Sequence, residues 1–285
     1  DLIKNLYLHI ELPDLIPNSD AVSYSNFIGY NLIDYLELYM GGTLIDRQTG
    51  EWLYIRNELY NNEDKKRAIY QMVGGSNFSS YSSYTGNEGG TYIVPLGFWF
   101  SNEIANSIPL VALQYSEVEI RIKFKDFDKC WISSDGNPPK GDYKIISCQL
   151  STEFVYLDNK ERKKMAQESH EYIIKQVQYS LNNNIIANDK NRTFNLNFHH
   201  PVLELIFLVQ NKDVKNISDD KGNDWFNFSK TTTLPFTNPI KSAKIVLNGQ
   251  DRTPELTDKE LRFYSILEKH TAIPNNFIYV YSFSL

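Results

Sequence analysis

Tyr35-Leu-Glu-Leu-Tyr-Met-Gly-Gly42, followed by Asp46-Arg47, has a second copy in Ser242-Ala-Lys-Ile-Val-Leu-Asn-Gly249, followed by Asp251-Arg252. In each copy a short strand-like run ends at glycine, an Asp-Arg pair follows, and a helical segment leads into an aromatic, β-rich run. The repetition reads as one architectural unit used twice. Gly42, Asp46, Arg47, Gly249, Asp251 and Arg252 are its structural markers.

Outward from these copies the β signal recurs. Over residues 116–125, Val118, Ile120, Ile122 and Phe124 alternate with Glu117, Glu119, Arg121, Lys123 and Lys125, a period of two that buries one face and wets the other. Comparable runs are 6–11, 35–40, 92–101, 143–157, 172–181, 192–198, 203–210, 243–247 and 277–285. Many strands with turn-rich connections predict an all-β chain of sandwiches or barrels. The turn-dense stretch 135–141 predicts a longer hairpin loop, with Cys130 and Cys148 flanking it. Helices are short: Trp52, Ile55 and Leu59 share one face, Leu261, Tyr264 and Leu267 another, and Thr257 with Glu260 forms a capping box.

Composition agrees. The 285 residues are long enough for two cores, and 19 Tyr, 16 Phe and 4 Trp favour pleated surfaces. A net charge of −6 opposes direct binding of nucleic acid, which requires clustered Lys and Arg. The longest apolar run, 203–209, is interrupted by Glu204, so no helix of the roughly 20 apolar residues that spans a bilayer is expected. Two cysteines are too few for a disulfide framework; free thiols and assembly in a reducing compartment are expected. The charge-rich stretch 158–164 breaks the strand pattern, and the expected division is a first unit over 1–157, a linker over 158–169 and a second unit over 170–285. The chain opens at Asp1 inside a strand-like run and stops at Leu285 just after one, which leads to the expectation of a fragment.

Seven stretches in order carry a resemblance. They are 1–8, 44–47, 108–115, 200–206, 238–243, 247–252 and 278–283, beginning Asp1-Leu-Ile-Lys-Asn-Leu-Tyr-Leu8 and including Leu44-Ile-Asp-Arg47 and His200-Pro-Val-Leu-Glu-Leu-Ile206. The chain resembles the major capsid proteins of nucleocytoplasmic large DNA viruses. That resemblance implies two tandem jelly rolls side by side, a homotrimer of pseudo-hexagonal outline, contacts with neighbouring capsomers and minor capsid proteins, and a place in the virion after assembly in the host cytoplasm. Relative to that pattern both jelly rolls are expected to be incomplete, the first lacking initial strands and the second its closing ones. Open strand edges follow as a physical expectation.

No catalytic, cofactor or metal residues are expected. The rival class is a jelly-roll carbohydrate-binding or cupin-like metal-dependent protein. His199-His200 precedes Pro201 and reads as a turn, the run 74–90 lacks the Lys-Ser/Thr ending of a phosphate loop, and Asp219-Asp220 lies in a polar loop. Tyr81, Tyr84, Trp225 and Phe226 lie in expected loops, where stacking on sugar rings competes with packing at contacts or under the loops. Asn77, Asn216 and Asn227 begin Asn-x-Ser triplets in expected loops and are candidates for glycosylation; Asn191 leads a strand. The Asp-Arg pairs are expected to bridge strand to helix within each copy.

Overall fold

The computed structural model describes residues 1–18, 21–75, 88–101, 103–133, 136–180, 185, 191–215, 222–232 and 235–283. The first half holds β1 (Leu2–Leu12), β2 (Val22–Tyr24), the single-turn α1 (Ile28–Asn31), the hairpin of β3 (Ile33–Met40) and β4 (Thr43–Thr49), then α2 (Gly50–Tyr60) and α3 (Glu63–Val73). It continues through β5 (Gly90–Leu96), β6 (Ile108–Pro109), β7 (Val118–Phe124), β8 (Trp131–Ser133) and β9 (Ser147–Val155). After α4 (Asn159–Gln167) the elements are shorter: β10 (Glu204–Phe207), β11 (Ser242–Ala243), β12 (Val246–Leu247), β13 (Gln250–Asp251), β14 (Leu256–Thr257), α5 (Asp258–Lys269) and β15 (Tyr279–Ser282).

Alternation builds the first half. Leu2, Leu6, Leu8, Ile10 and Leu12 of β1 point inward, and β1 pairs antiparallel with β5 and β6 on one edge and β9 on the other. A second sheet runs β4-β3-β7, with Leu36 and Leu38 of β3 inward, and β2 pairs β8. The second half contains only two-stranded pairs, β10-β15, β11-β14 and β12-β13, among the described residues. One apolar cluster nevertheless joins the halves: Phe27, Tyr54 and Leu59 belong to it together with Phe226, Phe228, Ile266, Ile278 and Val280.

The helices start where side chains satisfy their free N–H groups. Thr49 Oγ1 accepts from Trp52 N at 3.2 Å to start α2, Asn62 caps α3, and the expected capping box of Thr257 and Glu260 opens α5. Gly50 is required at the start of α2, because a Cβ there would lie 2.1 Å from the Tyr30 carbonyl oxygen. Helix α3, absent from the sequence reading, ends at Gly74 with φ 73, a left-handed cap.

Several expectations change. Runs 172–180 and 192–198 form no ladder among the described residues; the two meet through the Gln178 side chain and the His199 backbone and not through main-chain pairs. The expected hairpin around 135–141 does not form: β8 pairs with β2 and β9 with β1, which leaves Cys130, buried just before β8, and Cys148, exposed on β9, apart as free thiols. Burial pushes the Cys130 thiol up to about 12. The expected strand 92–101 ends at Leu96, and Trp99–Ser101 forms a 3-10 turn that carries Phe98 and Phe100 into the core. In α5 the buried face is Leu261 with Ile266, whereas Tyr264 and Leu267 are 62% and 69% exposed; the apolar spacing was right for a helix and wrong for its face. The stretch 158–164 forms most of α4, capped by Asp158 and without a buried residue. Most of the run 74–90, with Tyr81 and Tyr84, lies outside the described residues, as does Asp219-Asp220.

Candidate functional site: the seam between the halves

The run 222–228 inserts from the second half into the first. Asn223, held at φ 57, donates through Nδ2 to the carbonyls of Asp128 (2.8 Å) and Trp131 (2.7 Å), and Trp225 Nε1 donates to Lys129 O at 3.0 Å. Lys125 Nζ and Lys215 Nζ lie over the Trp225 ring at 4.3 and 5.1 Å from its centroid. Phe226 then packs 4.7 Å from Tyr54 and edge-on to Phe27 at 5.6 Å. Trp225 and Phe226 are therefore partly and fully buried packing residues of the seam rather than exposed stacking platforms.

Behind these rings lies a buried polar network. Glu58 of α2 and Lys66 of α3 are 0% and 1% exposed and meet at 3.6 Å; Lys66 also reaches Glu63 at 3.1 Å. Tyr70 OH donates to Glu58, and from the second half Asn275 N donates to Glu58 Oε2 at 3.2 Å. Asn276 donates to Phe226 O and accepts from Phe277 N at 2.9 Å and Phe228 N at 3.4 Å, while Thr271 N and Oγ1 donate to Leu59 O at 3.3 and 3.2 Å. A buried ion pair adds little net stability but is costly to break, since one lone charge would stay in an apolar surround. The network thus fixes how the halves fit. Burial drives the Tyr54 and Tyr70 phenols far above their ordinary range, so both stay protonated; Tyr70 donates to Glu58 and Tyr54 accepts from Asn276 Nδ2 at 3.5 Å.

Asp224 sits in the same run, 7% exposed, with Oδ2 unpartnered. Desolvation raises its carboxyl to about 7, with the nearby Asn227 side chain opposing the shift. Asn227 itself is 4% exposed, and its Oδ1 accepts from Ser229 N at 2.9 Å. Its sequon lies in a loop, as expected, but Asn227, Phe228 and Ser229 are all buried in the seam. Asn77 and Asn216 lie outside the described residues; Asn191 is exposed.

The repeat markers divide. Gly42 and Gly249 have φ 77 and 78, and each closes a two-residue turn, Met40 pairing Thr43 and Leu247 pairing Gln250. The Asp-Arg pairs do not bridge strand to helix. Asp46 is 3% exposed, accepts from Gln48 Nε2 at 2.7 Å and Val177 N at 3.1 Å, and has its carboxyl raised by burial. Arg47 lies 3.5 Å from Glu37 and over the Tyr35 ring at 4.0 Å. Asp251 is exposed and pairs with Lys244 at 2.9 Å, and Arg252 is exposed, its backbone N–H donating to Ile245 O. The two Asp residues follow their turn glycines at different spacings, so they occupy different registers.

His200 adopts φ 69, and His199 exchanges two 2.9 Å hydrogen bonds with the Gln178 side chain. Among the described residues no three His, Cys, Asp or Glu gather as a metal site, and no helix is long and apolar enough to cross a membrane. The seam residues Glu58, Lys66, Asp224 and Asn276 escaped the sequence reading. One signal was available: Glu58 follows Ile55 at i+3 and adjoins Leu59, an acid on the apolar face of an expected helix.

Comparison with known proteins places this geometry. The family described as Major capsid protein N-terminus matches residues 1–158, and Large eukaryotic DNA virus major capsid protein matches 161–285. The major capsid protein of Pyramimonas orientalis virus is 31% identical over 96% of this chain and 61% of its own length. That of Phaeocystis pouchetii virus is 32% identical over 74% of this chain and 46% of its own. The chain thus spans about half the length of these curated relatives. Among solved structures, PBCV-1 VP54, fitted into a reconstruction of the virophage Sputnik, superposes with a TM-score of 0.80 at 21% identity, over 100% of this chain and 71% of that one. The Faustovirus major capsid protein gives 0.76 at 11% identity, over 100% and 78%. These structural likenesses concern the fold, and the match over 1–158, more than half the sequence, concerns the lineage: the chain belongs to the major capsid protein family of large eukaryotic DNA viruses.

Proposed function

We propose that this chain is a structural subunit of an icosahedral capsid, acting by assembly and not by catalysis. Two tandem jelly rolls, over 1–157 and 170–285 with a linker over 158–169, stand side by side, and three copies form a capsomer with six similar edges. The observation that carries this reading is the ordered pair of family matches, which meet between residues 158 and 161. The reuse of one glycine turn at Gly42 and Gly249 and the single core across the seam support it further. A heterologous contact repeated by rotation closes a ring, and a two-unit subunit lets a threefold ring tile a hexagonal net. In the virion, neighbouring capsomers and minor capsid proteins are its partners; no step requires nucleic acid contact or a membrane span.

The test is the mass of the purified protein by light scattering, joined to negative-stain images. A trimer with hexagonal outline is expected. A monomer at every concentration, or a dimer loaded with zinc or iron, overturns the reading, the latter in favour of a cupin-like protein.

A further inference from the structure

Three side chains drawn from both halves meet where α2 and α5 end and β10 begins. Tyr60 is the last residue of α2, Glu204 the first of β10, and His270 the C-cap of α5. Backbone contacts fix their places: Glu204 pairs with Ser282 in the β10-β15 ladder, the His270 N–H donates to Ile266 O at 3.0 Å, and Thr271 ties the next turn of chain to Leu59 O. Tyr60 OH donates to Glu204 Oε1, and the Tyr60 ring stands edge-on to His270 with centroids 5.0 Å apart.

The other carboxylate oxygen faces the imidazole. Glu204 Oε2 lies 3.0 Å from His270 Nε2, yet both ring nitrogens are buried without a hydrogen bond among the described residues. The His270 side chain is 1% exposed. A proton shared between the two atoms would place the oxygen on the axis of the ring nitrogen, and here the oxygen stands off that axis. A cation about 2.1 Å from each atom produces this arrangement: two donors at a right angle around it are about 3 Å apart, and the oxygen falls roughly 45° off the nitrogen's axis.

Charge and chemistry agree. Glu58, deeper in the seam, has Lys66 beside it, whereas no Lys or Arg pairs with Glu204 among the described residues. Imidazole with carboxylate suits zinc and its neighbours in the first transition row, while calcium and magnesium take oxygen donors. The Tyr60 hydroxyl on Oε1 leaves Oε2 turned towards the imidazole, an outer hydrogen bond of the kind that orients a metal-ligating acid. Tyr60 is 41% exposed, so the cluster opens to solvent on that side and water can complete the coordination.

We propose that His270 Nε2 and Glu204 Oε2 bind one divalent transition-metal cation of the zinc type, with Tyr60 holding the carboxylate, so that the metal pins α5 and β10 of the second half against the end of α2. This goes beyond the capsid reading and does not depend on it. The mass of the assembly decides that reading, and the ligands of the metal decide this one.

The test takes the whole chain, freed of metal by a chelator, and titrates it with zinc by calorimetry. One zinc per chain is expected, with a melting temperature that rises with zinc concentration, as for any ligand of the folded state. His270→Gln and Glu204→Gln should each weaken binding at least about tenfold, and Tyr60→Phe by less, since its oxygen orients and does not ligate. His200→Gln, outside the cluster, should leave the affinity unchanged. No binding at millimolar zinc, undiminished binding after His270→Gln, or loss of binding after His200→Gln overturns the proposal. If the substituted chains do not fold, X-ray absorption of the zinc-loaded parent decides it: a single imidazole among oxygen donors is expected, and a second imidazole or a sulfur in the shell overturns the assignment.

Discussion

The hairpins β3-β4 and β12-β13 turn the same way and live in different surroundings. Both place a left-handed glycine at the second turn position, Gly42 at φ 77 and Gly249 at φ 78, preceded by Gly41 and Asn248 at φ 55 and 51. That is the turn whose twist matches paired strands, and it follows from local residue choice. Beyond the turn the two part. In the first copy β7 flanks β3, Leu36 and Leu38 are fully buried, and Asp46 lies inside. In the second, β12 and β13 are two residues each, and Val246 and Leu247 are 51% and 52% exposed. Turns are written locally, whereas burial belongs to whichever strands arrive alongside.

If the halves share one core, the largest effect should come from cutting the join. Phe226→Ala removes a buried ring from contact with Tyr54 and Phe27 and should cost about 3–5 kcal/mol, read by urea unfolding. The loss should be seen equally by probes in both halves. A change of under about 1 kcal/mol, or one confined to the second half, would mean that the halves fold separately and only touch.

A somewhat smaller effect is tied to pH. Folded Asp224 keeps its proton up to about 7, whereas an exposed carboxyl releases it near 3.8. The folded state therefore binds more protons across that window, so its extra stability is complete below the lower value and lost as pH rises through the upper one. Several kcal/mol is the order expected for a shift of this kind. Asp224→Asn should flatten the fall in melting temperature between pH 4 and pH 8, an interval set by those two values. A variant with the same slope as the parent would place the pH dependence elsewhere.

Asp224 and the polar residues behind Phe226 were passed over by sequence reading, and Phe226 was read as a loop residue, for a common reason. Alternation in 118–124 and the i, i+3, i+7 spacing around Trp52 declare local structure, since a period is visible within one element. Glu58 meets Lys66 and Tyr70 nearby, but the contact that ties it to the second half comes from Asn275, more than 200 positions away, and the burial of Asp224 is a tertiary property, so no window of sequence contains either. The reverse error has the same root. The runs 172–181 and 192–198 have the residues of strands, and 135–141 those of a hairpin loop, but a ladder also needs a neighbour in space. The exposed face of α5 was misassigned because Leu267 continues the period that Ile266, one residue earlier, satisfies by packing. The family resemblance succeeded where these failed, since an ordered set of motifs constrains the whole chain at once.

Next in size is the turn itself. A Cβ added at Gly42 or Gly249 meets nothing within 4 Å, so the cost of Gly42→Ala and of Gly249→Ala is the left-handed backbone alone, about 1 kcal/mol each. Equal losses in thermal melts would establish that both copies obey one local rule despite their unequal burial. A loss at Gly249 that vanishes would instead make the second hairpin a passive loop whose opening costs the molecule nothing.

The smallest effect sharpens the comparison most, because it separates sequence identity from structural equivalence. Arg47 lies over Tyr35 and 3.5 Å from Glu37, on a strand whose other face supports the core; Arg252 is exposed and contributes a backbone hydrogen bond that alanine keeps. Arg47→Ala should therefore cost about 0.5–1 kcal/mol, the scale of a partly exposed cation–π contact with a weak ion pair, and Arg252→Ala within about 0.5 kcal/mol of nothing. The repeated Asp-Arg spelling would lead to equal losses, as a strand-to-helix bridge in each copy would require. Matched denaturation curves on the two variants distinguish these outcomes. A loss at Arg252 equal to that at Arg47 would mean that the second copy holds its arginine in a contact that only an assembled capsomer supplies. In that case the Arg252 loss should disappear, and the Arg47 loss remain, when the same pair is measured below the concentration at which the chains associate.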